Sequence, residues 1–255
     1  MAANLAQLRS QVELALAGRV SSPFAIPQRS VEIVSTGISE VDALTGGLPR
    51  GALTEICGPS CSGRTSFMFS VLGGRTSQAE ACALVDGSDA FDPHSAAAAG
   101  IDLQRLLWVR CRTLEQSFRA IDFLLAAGGF GLIALDLGDT PGELVHRVPL
   151  DTWFRFRRAV EGTPTILFVL EQEPHAKTCA SLVLRVEAEG SHWNVARAAA
   201  AAGFCRHPFS RLLDGSEIRA ELIRSRAHRG LPADFRNAAV FETREKFGFA
   251  RSRQP

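Results

Sequence analysis

Residues 54–65, TEICGPSCSGRT, constrain this chain more than any other stretch. Thr54 to Cys57 reads as a buried strand, and a glycine-rich turn and a helix start follow it. The spacing Gly58, four residues, Gly63-Arg64-Thr65 fits the pattern in which successive backbone N–H groups cradle a phosphate at a helix N-terminus. The Thr65 hydroxyl stands where such a loop ligates Mg2+. Arg64 stands where lysine is expected. It keeps the charge but is longer, planar and bidentate, so it can clamp a phosphate in a different geometry. The nucleotide-contacting residues expected from this loop are Gly58, Pro59, Ser60, Cys61, Ser62, Gly63, Arg64, Thr65 and Ser66. The bland alternative is a glycine turn that binds nothing, and the flanking strand and helix argue against it.

The rest of the chain alternates short apolar strands with helices. Strands are expected at Ala81–Val85, Leu106–Val109, Gly131–Leu135, Thr165–Leu170 and Ser181–Val186, with late strands over 217–226 and 238–243. Helices are expected at 66–72, at 92–100 with Asp92 as N-cap and Pro93 at the first position, at 114–127 and at 153–160. Residues 3–18 read as an amphipathic helix, and 19–34 as a linker with Pro23 and Pro27. That helix either packs on its own domain or docks on a neighbouring subunit. The alternation argues for an α/β fold, a mostly parallel twisted sheet with helices on both faces. In such sheets ligands bind at the strand C-terminal ends. The strand 131–135 ends in Asp136, the position a metal-orienting carboxylate needs, although any capping Asp looks the same.

Composition enters only to exclude classes. With 46% hydrophobic residues, a sizeable core is available. A net charge of +1 implies no polyanionic partner by itself. Lys177 and Lys246 are the only lysines, so none near the phosphate loop stands in for the missing one. Six cysteines without a C-x-x-C pair argue against zinc and for reduced thiols in a cytoplasmic protein. No secretory h-region is visible, and no apolar run approaches the roughly 20 residues that span a membrane.

Several motifs recur in a known order. Ser35-Thr36-Gly37 through Gly46-Gly47-Leu48-Pro49, then Glu55-Ile56-Cys57-Gly58-Pro59-Ser60, resemble the nucleotide-binding core of bacterial RecA recombinases. Cys82 to Pro93, Gly100 to Leu103, Phe168 to Gln172 and Glu221 to Arg226 continue the resemblance in register. It implies a RecA-like P-loop NTPase core over 35–245, with 1–34 as an N-terminal helix and linker, an oligomerisation arm in this reading, and 246–255 as a basic tail. It implies ATP and Mg2+ as ligands, with Thr65 and Asp136 on the metal and Asp92 near the adenine. Gln172 is then the γ-phosphate switch, and Arg224 and Arg226 reach an adjacent subunit's nucleotide in trans.

The departures from that family all touch one activity. Its water-activating glutamate falls at Ser88, and serine is no general base at neutral pH. The adenine-stacking aromatic is missing, with Ser95 near its place. The segment after Gln172, Glu173-Pro174-His175-Ala176, is too short for a long DNA-binding loop, and 138–152 is compact. The sequence thus resembles short RecA-related accessory proteins of the ImuA type. These imply a pseudo-ATPase in bacterial DNA repair, recombination or an SOS-type damage response. The partners would be RecA or a DNA polymerase subunit, and homo-oligomers through the N-terminal helix. Two rivals stay open: an active DNA-dependent ATPase and recombinase, and a nucleotide-free protein-interaction scaffold. Arg155, Arg157 and Arg158 on one helix and Arg224, Arg226 and Arg229 further on either contact single-stranded DNA or form a solvated face. The stretch 191–214 reads as an insertion.

Overall fold

The computed structural model describes residues 32–194, 212–226 and 237–244. The expected N-terminal helix at 3–18, most of the linker, the centre of the insertion-like stretch and the basic tail lie outside the described residues.

Local patterning becomes one eight-stranded sheet. The phosphate-loop strand β3 (Ala52–Cys57) is central, flanked by β7 (Ile166–Glu171) and β8 (Leu182–Asn194). Beyond β7 come β6 (Leu132–Asp136), β4 (Cys82–Asp86) and β5 (Leu106–Arg110), all parallel. Beyond β8 come β9 (Leu212–Ser225) and β10 (Ala238–Arg244), both antiparallel. A two-residue ladder joins β1 (Ile33–Val34) to β2 (Leu48–Pro49), so the expected linker ends in a strand. The sheet is mostly parallel, as the alternation of elements predicts.

Strands buried on both faces need helices on both faces. One face is covered by α1 (Ser39–Thr45), α2 (Arg64–Ser77) and α3 (Pro93–Ala98). There Val41, Leu44, Phe67, Val71 and Ala96 meet Ile56, Leu84, Ala134, Phe168 and Leu170. The other face is covered by α4 (Leu114–Ala127), α5 (Gly142–His146) and α6 (Leu150–Val160). There Ile121, Val145, Trp153, Phe156 and Val160 meet Leu53, Val85, Ile133, Leu135 and Val169. The period-2 alternation along each strand therefore decides which face every side chain serves. Thr54, Ile56, Ala134, Asp136 and Leu170 face the α2 side. Glu55, Leu135 and Glu171 face the α6 side.

Several elements outrun their expected bounds: α2 runs Arg64–Ser77 against an expected 66–72, and two strands lengthen as well. The strand expected at Ser181–Val186 continues to Asn194, and the late strand begins at Leu212. Long-range pairing extends them: β8 and β9 form an antiparallel hairpin from Leu182↔Ser225 to Asn194↔Leu212, with register shifts that absorb irregular patterning. The compact segment 138–152 carries the short helix α5.

Candidate functional site

A strand, a glycine turn and a helix place the phosphate loop between β3 and α2. The loop is held from below: Gly58 N–H donates to the Glu171 carbonyl at 3.2 Å, and Ser62 N–H to the Pro59 carbonyl at 3.3 Å. Both framing glycines are dictated by contact. A Cβ on Gly58 would lie 2.2 Å from the Val186 carbonyl oxygen. Gly63 has φ +90°, and a Cβ there would lie 2.0 Å from Ile218 Cδ1. Pro59, Ser60 and Cys61 are exposed, as are Thr65 and Ser66 in the first turn of α2. The N-cap Gly63 supplies no capping side chain, so the first-turn amides and the positive helix end are presented outward. This is an open anion nest.

Arg64 does not extend into solvent. It is 7% exposed and lies along the floor beneath the nest. Its Nη2 donates to the Gly138 carbonyl at 3.1 Å, while Nη1 is buried without a hydrogen-bond partner. Gln172 Nε2 donates to the same carbonyl, also at 3.1 Å. The loop arginine and the expected switch glutamine, 108 residues apart, thus meet on one backbone oxygen. Arg64, Thr65, Phe69, Phe91, Asp136 and Gly138 line a common cleft of about 50 Å³.

Asp136 closes the far wall. Its Oδ1 accepts the Gly138 N–H at 2.8 Å, and burial pushes its pKa above the usual carboxylate range. A Cβ placed on Gly138 would lie 3.0 Å from Asp136 Oδ1 and 3.3 Å from both Cζ and Nη1 of Arg64. The carboxylate and guanidinium therefore border one spot. A divalent cation held there by Thr65 and Asp136 would face the guanidinium. Like unit charges 4 Å apart repel by about 4 kcal/mol at an effective dielectric near 20, and a divalent ion doubles that. The guanidinium beside Asp136 thus disfavours a divalent cation at that carboxylate. The exposed loop Pro59–Cys61 and the uncapped start of α2 face outward, as a phosphate-binding loop requires.

Ser88, the position where the resemblance expects a water-activating glutamate, lies in the turn after β4. Asp86 builds its turn by accepting the amides of Ser88, Ala90 and Phe91 and the Trp108 indole N–H. The Ser88 Oγ accepts the Asp139 N–H at 3.3 Å. The neighbouring Asp89 is turned away, with φ +54° and a bidentate pair to Arg110 at 2.7 Å.

The remaining expected residues are spread around this centre. Asp92 accepts the His94 and Ser95 amides and the Ser95 hydroxyl, which hold its pKa low, so its side chain is occupied as a helix cap. Phe91, one residue earlier, is the side chain that reaches the cleft. Arg224 and Arg226 donate to the carbonyls of Lys177 and Thr178 in the turn before β8, apart from the nest. On α6, Arg155 pairs with Asp122.

A second polar cluster lies within stretches that the sequence singles out, but its three residues are assigned no role there. Glu55 and Glu171, on adjacent strands, are fully buried on the α6 side. Glu55 Oε1 accepts the amides of His175 at 2.6 Å and Ala176 at 3.0 Å. Glu171 Oε2 lies 2.6 Å from His175 Nδ1. Burial pushes the Glu171 pKa up to about 7 and raises that of Glu55, and the Glu171 contact raises that of His175. A glutamate inside a six-residue buried strand was the available signal.

A family model for the RecA N-terminal domain matches residues 20–143. Over 108 residues the chain is 38% identical to Protein RecA of Ectopseudomonas oleovorans, covering 42% of this chain and 31% of that relative. Over 112 residues it is 36% identical to Protein RecA of Paracoccus denitrificans, covering 43% of this chain and 32% of the relative. The matched region thus spans about a third of the length of these curated relatives. Gly58 to Asp136 fall inside the matched domain, and Gln172, Arg224 and Arg226 fall beyond it.

Proposed function

We propose that this RecA-like chain binds ATP at residues 58–66 and hydrolyses it weakly or not at all. On this reading it serves bacterial DNA repair or recombination as an accessory factor, with RecA or a translesion polymerase as its partner. The observation that carries the reading is a split in the site. The phosphate-binding half is intact: an open nest at a helix N-terminus over a buried arginine with an unpartnered donor. On this reading the water-activating half is weak: Ser88 stands where a carboxylate is expected, with its Oγ accepting the Asp139 N–H, and Asp89 pairs with Arg110. Binding relies on backbone donors and charge, while hydrolysis also needs an oriented, deprotonating group. A site with the first and not the second holds nucleotide and turns it over slowly.

In this proposal Gln172 reports site occupancy to the segment that follows it, because it shares the Gly138 carbonyl with Arg64. Arg224 and Arg226 are proposed as contacts to a neighbouring subunit. Half-buried Arg157 and exposed Arg158 are proposed as backbone contacts to single-stranded DNA. ATP binding and turnover, measured with and without single-stranded DNA, test the reading. Micromolar binding with turnover at least about a hundredfold below a typical rate of 10 per second supports it. DNA-stimulated turnover that Asp136→Ala removes would establish an active ATPase instead. Absence of binding would leave a scaffold.

A further inference from the structure

The charge inside the cleft has a consequence for the ligand. A phosphate loop brings a polyanion against a protein surface, and something must neutralise the charge on the β and γ groups. Two cations usually do so together, a lysine and a divalent ion bridging the phosphates. Here the lysine position holds a longer, forked cation, and its stem carries the charge to the metal's side of the cleft. The guanidinium is fastened to the Gly138 carbonyl, faces the spot bordered by Asp136 Oδ1, and keeps Nη1 buried without a partner. An orphaned charged donor beneath an open nest is a site waiting for an acceptor. A phosphate oxygen supplies that acceptor, and a divalent ion would only compete with the guanidinium for the same oxygens.

We propose that the Arg64 guanidinium takes the electrostatic place of the divalent cation, so that this chain binds the polyphosphate of a free nucleotide without Mg2+. The inference rests on the reading of residues 58–66 as a nucleotide site and concerns the ionic form of the ligand. Free ATP, rather than its magnesium complex, is then the preferred species. Thr65 contributes its hydroxyl directly to a phosphate oxygen, and Asp136 holds the Gly138 turn that positions the arginine.

The test is equilibrium binding of a fluorescent ATP derivative to the full chain, in EDTA and in excess Mg2+. The native chain is expected to bind in EDTA as tightly as in Mg2+, or more tightly. Arg64→Lys restores the compact cation, and its binding is expected to weaken about tenfold or more when Mg2+ is removed, a change of about 1.4 kcal/mol. Arg64→Met, which keeps the stem and removes the charge, is expected to lose binding in EDTA. Circular dichroism melts confirm that both variants fold. A native chain whose binding falls tenfold in EDTA would overturn the inference while sparing the nucleotide reading. No binding by the native chain in either solution would defeat both. Metal dependence equal in native chain and Arg64→Lys would also overturn it, since the arginine would then carry no special role.

Discussion

Two polar clusters lie under the C-terminal ends of the same strands, on opposite faces of the sheet, and they are built differently. On the α2 face, Arg64 and Gln172 donate to the Gly138 carbonyl and Asp136 accepts the Gly138 N–H, with a cleft lined by Arg64, Thr65 and Asp136. On the α6 face, Glu171 bonds the His175 ring and Glu55 accepts the backbone amides of His175 and Ala176. Both leave an orphaned buried atom: Nη1 of Arg64 on one side, Oε1 of Glu171 and Oε2 of Glu55 on the other. The difference lies in what depends on each. Gly138 O keeps a donor if either Arg64 or Gln172 is lost. If Glu171 is lost, the His175 ring loses the carboxylate it bonds, and His175 anchors the turn that leads into β8. The first cluster can therefore give up one bond without stranding its acceptor, whereas the second holds the sheet end in place.

Truncating one member of each cluster separates them most sharply. Glu171→Ala leaves a buried imidazole without its carboxylate and opens a cavity beside Glu55. Breaking a buried pair this way costs roughly 3 kcal/mol or more. Arg64→Met removes a buried charge whose second donor is unsatisfied, and Gln172 still bonds the Gly138 carbonyl. Its cost is expected to stay within about 1 kcal/mol. Urea unfolding of both variants measures the contrast, provided the slope with denaturant stays constant. Equal losses would mean that both clusters are structural.

Acidity probes mainly the second cluster. The Glu171 carboxyl is raised from an ordinary 4.5 to about 7 by burial, and His175 is raised by its bond to Glu171. Glu55 is raised as well, despite the nearby His175 and Arg224 charges. Each group binds protons more tightly folded than unfolded. The associated stability is complete below the unfolded carboxyl value and drains away as pH rises through about 7. The pair titrates as a unit rather than as two independent sites. The melting temperature is expected to fall by on the order of 5 °C from pH 5.5 to pH 8. Glu171→Gln should flatten most of that slope. Asp136, also raised by burial, contributes the same sign from the other face, so Asp136→Asn is the control that should flatten less.

What the sequence disclosed follows a physical divide. The phosphate loop was legible because strand, glycine turn and helix are contiguous, and each carries a local signal. Asp92 was legible as a cap for the same reason: Pro93 follows at the first helical position. The order of strands was not, because β3 meets β7 across more than a hundred residues, and only that pairing brings Glu55 beside Glu171. The joint at Gly138 was invisible for a deeper reason. Its acceptor is a backbone oxygen, which every residue possesses, so no residue type announces it. The identity of Arg64 suggested a clamp reaching up to phosphates. Its placement along the floor depended on an acceptor 74 residues away that the sequence did not mark.

The smallest expected effect falls on Gln172, and it sharpens the contrast from the other direction. Its side chain is exposed, and it is anchored to the Gly138 carbonyl, which Arg64 also bonds. Gln172→Ala should therefore cost little stability, about 0.5 kcal/mol. If a bound phosphate draws Arg64 off that carbonyl, Gln172 becomes its remaining side-chain donor, and the segment after β7 tightens on nucleotide binding. In the native chain, amide exchange at 173–176 should slow when ATP is added, and in Gln172→Ala the slowing should be lost while ATP affinity changes less than about threefold. Slowing that persists in Gln172→Ala would show that the signal passes through Glu171 and His175 instead, making the two clusters one device.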